Sequence, residues 1–204
     1  MPNPSQLVSQ ATIRWRVAAT IFVAVVVCKL LPYFVEGAPY SVTPLFAAGL
    51  FFAALFPLKE AHVALPLLTL VFFAVDIPVA WLSKSPLFYH GQAFNLAIVY
   101  LCSHWGWGLR HWRNPLSIAA TGALACTTFC LLTNTAIWTE GMLYQRNWAG
   151  LRDCFMNAWP FYRNLLLSTA GFSALLFHPA LVRLVAEIPR DVPAAASLPS
   201  NSPF

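Results

Sequence analysis

The sequence predicts an all-α, polytopic membrane protein, a bundle of about six transmembrane helices with a short second span. Three observations predict it. Of 204 residues, 59% are hydrophobic and 9% charged, against roughly 25% charged in a typical soluble domain. Apolar runs near the ~20 residues that cross ~30 Å of hydrocarbon recur from end to end. Basic residues and tryptophans gather where those runs stop, as they do at membrane interfaces.

Residues 1–13 form a polar N-terminal segment, and residues 14–188 the transmembrane domain. The first span, about Val17 to Val35, follows Arg14 and Arg16. It is too long for the apolar region of a secretory signal, Lys29 interrupts it, and no small-x-small cleavage site follows, so a retained helix is expected. The second, Pro44 to Phe56, is short enough to cross only in part. The third runs from Ala61 to Leu82, the fourth from Ala93 to Leu109 and the fifth from Pro115 to Trp138. The sixth begins near Trp159 and reaches about Leu184. Pro44 and Pro115 suit a first helical turn, where a missing N–H costs nothing. The tail, residues 189–204, is rich in Pro, Ala and Ser and is expected to be disordered. The chain shows no internal repeat and no second domain.

Orientation follows from the basic residues. With the N-terminus in the cytoplasm, Arg14, Arg16, Lys59, Arg110, Arg113, Arg183 and Arg190 fall inside, against Lys84, Arg146 and Arg152 outside. Both termini are therefore expected in the cytoplasm, with the chain in the cell's inner (plasma) membrane. The net charge of +5 is accounted for by topology, and no nucleic-acid partner is implied.

That topology gives polar residues a depth. Asp76 lies eight residues before Lys84, about 12 Å below the outer boundary at ~1.5 Å per residue. Lys29 and Asn134 come out at about 9 Å, and Arg163 and Asn164 at roughly 6–8 Å past Trp159. Four helices thus place polar groups in one outer layer, and the candidate binding residues are Lys29, Asp76, Asn134, Arg163 and Asn164. A charge at bilayer depth costs several kcal/mol and needs a partner or a task. Two readings fit. In one, Asp76 pairs with Lys29 or Arg163 while the asparagines tie helices together. In the other, the same groups line a pocket open to the outside, whose net positive charge would suit a carboxylate or phosphate. Pro78, two residues after Asp76, weakens the helix there.

Small residues four apart, Gly49/Ala53, Ala119/Ala123 and Ala170/Ala174, mark close helix packing, within the chain or toward a membrane-protein partner. The cysteines imply neither a disulfide framework nor a metal set: Cys28, Cys102, Cys126 and Cys130 lie in spans, and Cys154 lies in the last outer loop. Haem between His104 and His178 is conceivable, although a lone helical histidine is usually structural. There is no phosphate-binding loop, zinc-protease signature, nucleophile elbow or dinucleotide fingerprint. No catalysis, cofactor or metal is expected.

Val42-Thr43-Pro44, an Asp in the next span, Leu132-Thr133-Asn134 followed by Trp138, and Pro160-Phe161-Tyr162-Arg163-Asn164 followed by Phe172-Ser173-Ala174-Leu175-Leu176-Phe177 occur together. Over about residues 28–178 this combination resembles a bacterial integral-membrane family classed only as a domain of unknown function. The chain departs from that pattern: Ser41 replaces an Asn, Phe52-Ala53 a glycine pair, and Ser168-Thr169 a Gly-Asp pair. The family is in turn distantly similar to the substrate-capture (S) components of energy-coupling-factor transporters, six-helix proteins that bind a micronutrient from outside. The Ala-x-x-x-Ala stripe expected on their first helix is absent here. The polar layer around Asp76, with this fold-level analogy beside it, leads to the expectation of a non-enzymatic membrane protein that binds or carries a small, anionic solute from the outer face. The alternative is a structural or assembly subunit that docks another membrane protein.

Overall fold

The computed structural model describes residues 4–84, 87 and 91–186. The expected C-terminal tail, 189–204, lies outside the described residues. Among the described residues every regular element is helical. They are α1 (Pro4–Phe34), α2 (Leu45–Leu55), α3 (Leu58–Ala74), α4 (Asp76–Ser83), α5 (Gln92–Ser103), a 3₁₀ segment (His104–Arg110), α6 (Pro115–Glu140), α7 (Trp148–Leu176) and α8 (Pro179–Ala186).

The helices form alternating legs around α2. Trp15 meets Phe56 and Phe22 meets Phe52 edge to face, so α2 runs antiparallel to α1. Arg14 pairs with Glu60 and Lys29 with Asp76, so α1 and the α3–α4 leg run parallel. Each pair of anchors stands about 22–24 Å apart along its helix, at 1.5 Å of rise per residue. Gln92 reaches Asp76 while Trp107 meets His62, which turns the α5 leg back. Thr127 bonds Tyr162 and Cys126 lies against Thr169, closing α6 onto an antiparallel α7.

Three of these helical stretches are long and apolar enough to cross a membrane: Val8–Phe34, Leu58–Ser83 and Pro115–Glu140. A fourth results if α7 and α8, bent by 62° at their junction, act as one span. The expected count of six is thus reduced, for local reasons. The second expected span is α2, only 11 residues or about 16 Å. The fourth is cut short where α5 gives way to the 3₁₀ segment at His104. The third expected span is kept as Leu58–Ser83, with one interruption at Val75. Pro78 has no N–H for the Ala74 carbonyl, and its ring crowds that carbonyl, so the helix breaks one turn before the proline. The first and sixth expected spans begin late: α1 already starts at Pro4 and α7 at Trp148. Cys154 therefore lies buried within α7, not in a loop.

All 11 residues of α2, Leu-Phe-Ala-Ala-Gly-Leu-Phe-Phe-Ala-Ala-Leu, are buried. A helix apolar on every side belongs in a core, and this one forms the axis on which the others pack. The 3₁₀ segment touches it backbone to backbone. A Cβ on Gly106 would stand 2.7 Å from Leu50 Cα, and at the end of α5 the Ser103 side chain fills the space that a Cβ on Gly49 would need. The last carbonyls of a helix lack intrahelical donors. Here Arg110 supplies them, donating from Nε to Ala53 O at 2.8 Å and from Nη2 to Phe56 O at 2.6 Å. Its charge also opposes the negative end of the α2 dipole. Arg110→Met should destabilise the fold by about 2–3 kcal/mol, the cost of stranding buried acceptors. Chemical unfolding followed by circular dichroism in detergent measures it, and an unchanged midpoint would remove Arg110 from this role.

Of the three small-residue pairs, only Gly49/Ala53 packs inside. Ala119, Ala123, Ala170 and Ala174 are exposed on α6 and α7. At the α6 start, Asn114 caps the helix by accepting from Ser117 N at 2.8 Å, with Pro115 at the first helical position as expected.

Candidate functional site

The break at Val75 makes Asp76 the first residue of α4, where the positive end of the helix dipole favours a carboxylate. Lys29 Nζ stands 2.6 Å from Asp76 Oδ1, and the two side chains are 16% and 18% exposed. Of the two partners the sequence offered, the fold selects Lys29. The same ammonium donates to Phe72 O at 2.6 Å and lies 3.5 Å from the centre of the Phe72 ring. Gln92, itself buried at the start of α5, donates from Nε2 to Asp76 Oδ2 at 3.2 Å. The carboxylate is thus held by a cation, an amide and a helix terminus, which together meet the cost of burying it.

Lys29 also lines a cavity of about 300 Å³. Its walls come from α1 (Cys28, Pro32, Tyr33), the connection to α2 (Tyr40 to Thr43), and Phe46, Phe72, Phe129 and Phe161. Tyr33 and Tyr40 meet edge to face at 6.1 Å, and Phe46 and Phe129 at 5.4 Å. Thr43 is 6% exposed, and its hydroxyl is buried with no hydrogen-bond partner. Buried polar groups are nearly always satisfied, which sets this hydroxyl apart among the residues that line the cavity. Ser41 on the same rim adopts φ 66°, a left-handed conformation uncommon outside glycine.

The connection from α1 to α2 is non-helical, and its carbonyls need donors. Asn164 supplies one, donating from Nδ2 to Tyr40 O at 3.1 Å. Ser168 Oγ lies 3.4 Å from both Ser41 O and Thr43 O. Asn164 therefore shapes the cavity from behind the connection and is not among its lining residues. Asn134 sits in a neighbouring cavity of about 340 Å³, which shares Ser41, Phe129, Phe161 and Leu165 with the first. It donates to Cys130 O at 2.8 Å, and the Cys154 thiol lies 3.4 Å from its carbonyl. Arg163 is exposed on α7 and lines neither cavity.

The five residues expected at one site thus separate. Lys29 and Asp76 meet, Asn164 braces the connection, Asn134 faces the second cavity, and Arg163 points away. Gln92 and Tyr33 were not singled out by sequence, while Thr43 and Ser168 entered only as parts of the family resemblance and not as site residues.

The histidines have local roles. His104 Nδ1 lies 2.8 Å from Tyr100 O, and the ring packs against Tyr100 and Trp107. His178 Nδ1 accepts from Ala180 N at 3.3 Å at the α7–α8 bend. Among the described residues no three His, Cys, Asp or Glu side chains are grouped to hold a metal ion.

An all-α protein with several helices able to cross a bilayer, enclosing a central buried helix and an aromatic cavity, is the class these features define. The chain belongs to a family of unknown function, DUF6580, whose model matches residues 9–190. No curated protein and no solved structure matches it.

Proposed function

We propose that this is an inner-membrane protein with both termini in the cytoplasm that binds a small solute entering from the outer face. The single observation that carries the reading is the unpartnered Thr43 hydroxyl in a cavity that also presents Lys29. Asp76, the Phe72 carbonyl and the Phe72 ring hold the ammonium on the protein side, and Lys29 is at the same time one of the cavity's lining residues. Ligand pockets are concave, mostly apolar and carry a few fixed polar groups, which describes this one. The side on which it opens follows from the basic-residue asymmetry. Six alternating legs and an outer pocket also agree with the likeness to substrate-capture components, an analogy of fold alone. In this reading α1, α3–α4, α6 and α7–α8 cross the membrane, while α2 and the α5 leg complete the bundle within it.

Screening the purified protein in detergent against small solutes should find compounds that raise its melting temperature. Thr43→Val keeps the shape and removes the hydroxyl. It should weaken such a compound about tenfold, or 1.4 kcal/mol, while leaving the unliganded melting temperature unchanged or higher, since an unsatisfied buried group is removed. Failure of every solute to stabilise the protein would overturn the reading.

One observation favours a second reading, a subunit that docks a transmembrane helix of another membrane protein. Between α6 and α7 a groove of about 220 Å³ is lined by Ala119, Gly122, Ala123, Ala170 and Ser173. Ser173 is 4% exposed and its hydroxyl has no partner. Small residues let helices approach closely, and a serine can bond across such an interface. Co-purification of a stoichiometric membrane partner, lost in Ala123→Leu and kept in Thr43→Val, would favour this reading over the first.

A further inference from the structure

Resting on the solute-binding reading, we infer that the ligand of the Lys29 cavity is an uncharged, planar aromatic molecule bearing an amide or similar carbonyl group. The charge balance at the site carries the inference. The sequence offered two cations, Lys29 and Arg163, against one carboxylate, an excess that would favour an anion. The fold removes that excess, because Arg163 is exposed on α7 and does not line the cavity. Among the described residues Lys29 is the one lining side chain charged at neutral pH, and Asp76 neutralises it at 2.6 Å. The Phe72 ring and carbonyl further compensate the ammonium. An anionic solute would meet no uncompensated positive charge there, yet would lose its hydration on entry, an unfavourable exchange. A cationic solute would meet Lys29 itself.

The walls specify the body of the ligand. Tyr33, Tyr40, Phe46, Phe72, Phe129 and Phe161 present six aromatic rings around about 300 Å³. Ring edges and faces favour a flat π-system in offset or edge-on contact. The polar groups specify its handle. The Lys29 ammonium is a donor only, whereas the Thr43 hydroxyl both donates and accepts. A carbonyl oxygen satisfies the first and an adjoining N–H or second lone pair the other, and neither requires a charge on the ligand.

A matched series on one ring system tests this with the full-length protein in detergent: 2-naphthamide, 2-naphthoate and 2-naphthylmethylammonium, titrated calorimetrically. The amide is expected to bind at least tenfold more tightly than either charged analogue, with its affinity reduced about tenfold in Thr43→Val. In Asp76→Asn, where Lys29 loses its counter-charge, the order of amide and naphthoate should reverse. Naphthoate or the ammonium binding the wild-type protein as tightly as the amide would overturn the inference and leave the solute-binding reading intact. Binding of none of the three would also overturn it. In that case the broader reading survives only if a non-aromatic solute raises the melting temperature in a Thr43-dependent way.

Discussion

Asp76→Asn is expected to destabilise the protein by about 3–5 kcal/mol, because it leaves the partly buried Lys29 ammonium without a counter-charge. The substitution is nearly isosteric, so packing changes little and the loss is electrostatic. Gln92 and Phe72 still contact their partners, but neither carries a charge to oppose Lys29. The double variant Lys29→Met/Asp76→Leu removes both charges together. It should recover most of the loss, since apolar replacement of a buried pair is often neutral. A double-mutant cycle on Lys29→Met and Asp76→Leu, read by unfolding in detergent, isolates the pair from the rest of the site. A coupling energy below about 0.5 kcal/mol would show that the two residues do not hold each other in place.

Gly106→Ala should cost about 3 kcal/mol, at the upper end of what overpacking imposes. The added Cβ would fall 2.7 Å from Leu50 Cα and 2.9 Å from Ala53 Cβ, on the backbone of the central helix. No rotamer change relieves a clash with backbone, so α2 or the 3₁₀ segment has to move. Moving the segment would also withdraw Arg110 from the α2 carbonyls. Gly171→Ala is the control. A Cβ there meets nothing within 4 Å, and replacing a mid-helix glycine by alanine is favourable by up to about 1 kcal/mol. Opposite signs for the two substitutions, measured side by side, are the expected result. Equal tolerance of both would show that the 3₁₀ segment does not press on α2.

Much of the architecture was legible because length and apolarity are local properties. The α1, α3–α4, α6 and α7 regions were each expected as apolar helices. What could not be read was which apolar helix faces lipid and which faces protein. Lipid tails are as apolar as leucine side chains, so the two environments select similar residues. The run Leu45–Leu55 was therefore expected as a short span, whereas it is the buried axis of the bundle.

The candidate site shows the same division. Depth along a helix follows from counting residues, and counting placed Lys29 near Asp76. Direction around a helix does not follow from depth. Arg163 and Asn164 are consecutive, hence about 100° apart on a 3.6-residue turn, so one is exposed while the other reaches Tyr40 O. Hydroxyls leave still less trace. Thr43 and Ser168 sit in apolar surroundings where a threonine or serine is unremarkable, and only the packed chain leaves one without a partner and sets the other beside two carbonyls.

The sequence by itself thus determined an all-α chain of apolar helices and an anomalous carboxylate at Asp76, because charge and hydrophobic length are fixed by composition alone. The tertiary structure decided that Asp76 belongs to Lys29 and Gln92, that Arg163 stands apart, and that an aromatic cavity without excess charge remains beside them. Those outcomes depend on how helices rotate and pack against one another, and that is settled by contacts between residues far apart in the chain.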